Sequence, residues 1–213
     1  MKNQIIGFYN YTVILTYLGL ITGCVGLFYV LSNNYWMSVL CLMIAGICDM
    51  FDGTIASTRE RNIAERIFGI QIDSLSDLVS FGVLPALLVY EISGRQTTAG
   101  CISALYILAA LIRLAYYNVL EEQRQKEFPN QKNKFLGIPV TAICILLPIV
   151  FLCYHYRVTD SINCFSLLLF VTGIGFLTPL EIKKPEIVGK IALIIIGILE
   201  AAGMLLLMGW DAI

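Results

Sequence analysis

Long apolar runs separated by short, basic-rich polar stretches dominate the chain. The runs are Thr12–Leu31, Trp36–Ser57, Gly69–Glu91, Thr97–Val119, Ile138–Tyr154, Ile162–Leu177 and Ile187–Gly209. A helix rises about 1.5 Å per residue, so about 20 apolar residues match a hydrocarbon core of about 30 Å. The pattern therefore predicts an all-α, polytopic transmembrane helix bundle of about seven spans, within a range of six to eight. The fifth and sixth runs are short, which fits tilted or partly interfacial helices. No repeat, low-complexity tract or soluble domain interrupts them, so residues 1–213 read as one membrane domain.

Composition strengthens this reading. Of 213 residues, 58% are hydrophobic and 14% charged, and the mean hydropathy is +0.81. A soluble domain is nearer half apolar and a quarter charged. The first run follows Lys2 but exceeds a signal-peptide core and has no small-residue cleavage site, so it is expected to be a retained span. The seven cysteines lie in or beside apolar runs without C-x-x-C pairing and read as packing residues. His155, at the end of a span among tyrosines, fits an interfacial aromatic belt. No nucleic-acid partner is expected.

Basic residues set the orientation. Lys2, then Arg59, Arg61 and Arg66, then Arg124, Lys126, Lys132 and Lys134, then Lys183, Lys184 and Lys190 all fall on one side. The opposite loops hold only Arg95 and Arg157, and Arg113 lies inside a span. The positive-inside rule puts the N-terminus and the loops after the even spans in the cytoplasm. In a bacterium this means the inner membrane, with the acidic site described next facing the cytoplasm.

Four aspartates, Asp49, Asp52, Asp73 and Asp77, interrupt the second and third runs. An acidic residue near a span centre costs roughly 2.5–3.5 kcal/mol on insertion scales, which marks them as functional. Asp49, Asp52, Gly53 and Ala56 fall at i, i+3, i+4 and i+7, and Gly69, Asp73 and Asp77 at i, i+4 and i+8. Two facing helices would thus gather four hard oxygen ligands, beside small residues that let a ligand approach. Without histidine or cysteine among the ligands, Mg²⁺ or Mn²⁺ is favoured over zinc, and open positions on such ions suit a diphosphate. The alternative on the same residues is a cation transporter, which would call for broken helices or repeated halves.

The stretch from Asp49 to Asp77 resembles the signature of the CDP-alcohol phosphatidyltransferases, D-x-x-D-G-x-x-A-R, a bridge, then G-x-x-x-D-x-x-x-D. Asp49, Asp52, Gly53, Ala56, Gly69, Asp73 and Asp77 match it residue by residue. Ser57 stands where the pattern has arginine, the nearest arginine is Arg59, with Arg61 close behind, and the bridge is a few residues longer. Within the family, DSLSDLVSFGVLPAL, LIRLAYYNV and FLGIPVT are most similar to the serine branch of small integral-membrane enzymes.

The resemblance implies transfer of a phosphatidyl group from CDP-diacylglycerol to L-serine, with release of CMP. It also implies that the four aspartates hold metal, as a two-ion site in the family's manner, and that Asp77 is the catalytic base. Gly53, Ala56 and Gly69 would make room for the nucleotide, with Arg59, Arg113 and Lys134 as further substrate-binding candidates. The family likeness also implies a homodimer in the lipid bilayer. Glycerol phosphate and inositol phosphate are the alternative acceptors. Glu200, inside the last run, matches nothing in the signature.

Overall fold

A computed structural model describes residues 6–59, 61–127, 135–156, 158, 163–179, 181–182 and 187–210. A 3₁₀ turn, Tyr11–Val13, leads into α1 (Ile14–Leu31), and a tight turn at Asn33 (φ 60°) returns the chain into α2 (Tyr35–Ala56). The third pass is continuous: α3 (Ile63–Asp77), a π-helical segment (Leu78–Val83) and α4 (Leu84–Ile92). After a second tight turn come α5 (Thr97–Glu127), α6 (Ile143–His155), α7 (Asn163–Leu177) and α8 (Ile187–Trp210).

Among the described residues the architecture is an all-α membrane bundle of seven helical passes. Four passes are long and apolar enough to cross a bilayer alone: Tyr11–Leu31, Tyr35–Ala56, Ile63–Ile92 and Thr97–Gln123. The later apolar helices, Val140–His155, Asn163–Leu177 and Ile194–Leu206, are shorter. Among the described residues the only strands are β1 (Phe135–Leu136) and β2 (Glu181–Ile182), an antiparallel pair with Phe135 opposite Ile182.

Two boundaries differ most from the sequence expectation. The third pass begins at Ile63 rather than Gly69, because Asn62 and Glu65 form a capping box. The Asn62 side chain accepts from Glu65 N (2.8 Å), and Asn62 N donates to the Glu65 carboxylate (3.0 Å). The bridge is thus partly helix, and Arg66 rides on it. The fourth pass runs to Glu127 rather than Val119, since Glu121, Glu122 and Gln123 are good helix formers beyond the apolar stretch.

Lipid and protein faces are sorted along each helix. On α1, Ile14, Leu18, Ile21, Val25 and Phe28 are exposed, whereas Thr16, Gly19, Gly23, Gly26 and Val30 are buried. The buried stripe of small residues lets α1 lie close against its neighbours, as membrane helices require when burying apolar surface gives no drive in lipid. A side chain at Gly23 would collide with the Ser80 hydroxyl of the third pass. Val39, Leu42, Phe81, Leu84, Leu88, Tyr106, Leu147 and Phe165 form the buried core.

The π-helical segment has a side-chain partner. Its wider turns disturb the regular i→i−4 ladder, and the buried Tyr106 hydroxyl of α5 donates to Phe81 O at 2.7 Å. This bond fastens α5 to the third pass just beyond Asp77. Further down, Ser74 Oγ donates to Asn118 Oδ1 at 2.8 Å, joining the same two passes near the acidic stretch.

Candidate active site

The last two turns of α2 and the second half of α3 face each other across a narrow cleft closed on one side by α1. Asp49, Asp52, Asp73 and Asp77 all line it, together with Thr16, Ser76 and Ser80. Helical spacing explains the convergence, since i, i+3 on α2 and i, i+4 on α3 each keep a pair of carboxylates on one face.

Three of the four come closest. Asp49, Asp52 and Asp73 each offer a carboxylate oxygen within 4.8 Å of the others. Asp52 and Asp73 reach hydrogen-bonding distance of one another, and Thr16 Oγ1 donates to Asp52 Oδ2 at 3.2 Å. Asp77 lines the same cleft one turn further along but stands outside the close trio. Like charges this near one another need a counter-charge, and an all-oxygen trio of this size can hold a hard divalent cation.

The remaining candidates are distributed unevenly. At Gly53, exposed on α2 next to Asp52, a Cβ would meet nothing within 4 Å, so the space beside it is open. Ala56 lies half-buried on the last turn of α2, and Ser57, in the arginine position, turns its hydroxyl onto Thr54 O at 2.6 Å. Arg59 pairs with Glu65 on the α3 cap at 3.7 Å. Gly69 lies beneath the Arg61 guanidinium, whose Nη1 is 3.1 Å from where a Cβ would be. Arg113 is 6% exposed, stacks 4.7 Å above the Tyr117 ring and lies within electrostatic reach of Asp77. Its Nε and Nη2 have no hydrogen-bond partner among the described residues. Lys134 lies outside the described residues.

Three polar contributors to the cleft were not singled out from sequence. Thr16 sits on α1, Ser76 Oγ donates to Thr16 O (3.3 Å) and Ser80 Oγ to Gly19 O (3.5 Å). Isolated hydroxyls in apolar runs were their only signal. The FLGIPVT stretch packs against α7, where Ile138 N donates to Gly175 O at 3.2 Å, and Cys144, just after it, packs against Gly46 one turn before Asp49.

Comparison with known proteins agrees with this geometry. The family model for CDP-alcohol phosphatidyltransferases matches residues 9–180. The chain belongs to the CDP-alcohol phosphatidyltransferase family.

Its relatives include three proteins named CDP-diacylglycerol–serine O-phosphatidyltransferase. The one from Methanocaldococcus jannaschii is 33% identical over 184 residues, 86% of this chain and 77% of that protein. The Helicobacter pylori protein is 30% identical over 169 residues, covering 77% and 67%. The Saccharomyces cerevisiae protein is 31% identical over 160 residues, 67% of this chain. The matched stretch spans 57% of the yeast protein's length.

Proposed function

We propose that this integral membrane protein transfers the phosphatidyl group of CDP-diacylglycerol to L-serine, giving phosphatidylserine and CMP. The observation that carries the reading is a four-carboxylate cleft, split into a close trio and a separate Asp77, in a member of this family. The names of the three relatives support serine as acceptor.

The residues divide by position. Asp49, Asp52 and Asp73 would hold Mg²⁺ or Mn²⁺, with Asp77 available to a second ion, and the metal would offset charge on the phosphoryl oxygens and on departing CMP. Asp77, apart from the trio, accepts the proton of the serine hydroxyl. The serine oxygen forms a bond to the lipid-bearing phosphorus as the bond from that phosphorus to the CMP oxygen breaks. Gly53 and Ala56 leave room for the nucleotide, and Gly69 keeps the opposite helix thin. Arg113, buried near Asp77 with unpartnered donors, anchors the serine carboxylate by charge-assisted hydrogen bonds.

The wider setting follows from charge and likeness. The basic loops support a cytoplasmic N-terminus and a cleft open to the cytoplasm, in the inner membrane if the cell is bacterial. The chain is read as one transmembrane domain, acting as a homodimer by likeness to the family. The test is purified protein given CDP-diacylglycerol, Mg²⁺ or Mn²⁺, and serine, glycerol phosphate or inositol phosphate in turn. CMP release with serine alone is expected; release only with a phosphorylated acceptor would overturn the serine assignment.

A further inference from the structure

We infer that Arg61 is the residue that grips the substrate's diphosphate, in place of the arginine absent at Ser57. The inference rests on the proposed use of a CDP-linked lipid and assigns the role to a residue outside the signature positions.

Four observations meet on this residue. Ser57 is turned onto its own helix, its hydroxyl donating to Thr54 O. Arg59 is held at Glu65, which also accepts from Asn62 N (3.0 Å) and Asn10 Nδ2 (3.4 Å) as part of the helix cap. Arg61, by contrast, folds back two turns along α3 and lays its guanidinium over Gly69, one turn before Asp73. It also lies within electrostatic reach of Asp52 on the facing helix.

The glycines explain why the guanidinium fits there. At Gly69 a Cβ would crowd Nη1 at 3.1 Å, and at Gly53, on α2, a Cβ would meet nothing. Arg61 thus stands beside Gly69 within electrostatic reach of Asp52, and the space beside Gly53 on the facing helix is open. A diphosphate lying in it would face the trio, with its bound cation, on one side and a planar fork of N–H donors on the other. Arginine suits that second role because its donors match two phosphate oxygens at once. The longer bridge has a purpose in this arrangement: it supplies from the α3 side the cation that the signature places on α2.

The test uses full-length protein and separates this inference from the serine reading. Losing one charge-assisted contact lowers affinity by about tenfold or more. Arg61→Ala is therefore expected to raise the KM for CDP-diacylglycerol about tenfold and leave the KM for serine within about twofold. Arg61→Lys should recover part of the loss, Arg59→Ala should shift the KM less than Arg61→Ala, and Arg66→Ala serves as the exposed control. A binding arm needs no turnover: thermal stabilisation by CDP should weaken in Arg61→Ala, stabilisation by cytidine should not, and stabilisation by inorganic pyrophosphate should be weaker in Arg61→Ala than in wild type. If serine is not consumed but the CDP arm behaves as stated, the inference stands without the acceptor assignment. Equal effects on CDP and cytidine, equal shifts for Arg59→Ala and Arg61→Ala, or an unchanged CDP response would overturn it.

Discussion

Replacing Asp73 by asparagine separates the charge in the cleft from its use. Asp73 meets Asp49 and Asp52 with oxygens no more than 4.8 Å apart. At an effective dielectric of about 20, two unit charges at that distance repel by about 3.5 kcal/mol, and Asp73 takes part in two of the three pairs. Where all three carboxylates are ionised the fold bears this cost without metal, and a divalent cation reverses it. Asp73→Asn should therefore be at least as stable as wild type in EDTA. If even about 1 kcal/mol of the repulsion is expressed, the melting temperature in EDTA rises by about 2–4 °C for a chain of this size. Wild type should gain stability on adding Mn²⁺, and the variant should gain little. Thermal unfolding in detergent, followed by tryptophan fluorescence with and without Mn²⁺, measures both effects. A variant less stable than wild type in EDTA, or one with the full Mn²⁺ response, would refute the charged-trio account.

Three further outcomes are expected. Asp77→Asn should lower kcat by about 10²–10⁴, the usual contribution of a general base, yet retain CDP-diacylglycerol binding better than Asp49→Asn; parallel kinetics and ligand-induced thermal shifts check this. Tyr106→Phe removes the donor at Phe81 O, which should cost about 1–3 kcal/mol and appear as a lower melting temperature in a variant that still binds CDP. For topology, Thr58→Cys should be labelled by an impermeant maleimide only from the cytoplasmic side, and Asn33→Cys only from the other; the reverse pattern would invert the site's orientation.

Much of this was legible because it depends on periodicity. Apolar runs gave the helical passes to within a turn or two, and the aspartate spacing put the four acids on facing surfaces. Ends set by specific hydrogen bonds were harder. The start of α3 was written in Asn62 and Glu65, but that capping box lies among arginines that read as a loop. The π-helical segment has no periodic signature, and its Tyr106 partner comes from another pass. The two-residue strands are too short to carry a pattern. Arg59 and Arg61 are indistinguishable by spacing, since the difference lies in Glu65 holding one and Gly69 admitting the other. Glu200 is buried at 5% exposure, with neither carboxylate oxygen hydrogen-bonded among the described residues, and nothing in the fold assigns it a task.

The central claim is that the serine hydroxyl oxygen becomes bonded to the phosphatidyl phosphorus as CMP leaves. Serine labelled with ¹⁸O in its hydroxyl, incubated with CDP-diacylglycerol, metal and purified protein, tests this directly by mass spectrometry of both products. The expected result is phosphatidylserine carrying the full label, with one unlabelled CMP for each molecule formed. Label lost from the lipid product, label in CMP, or no phosphatidylserine while another alcohol is consumed would contradict it.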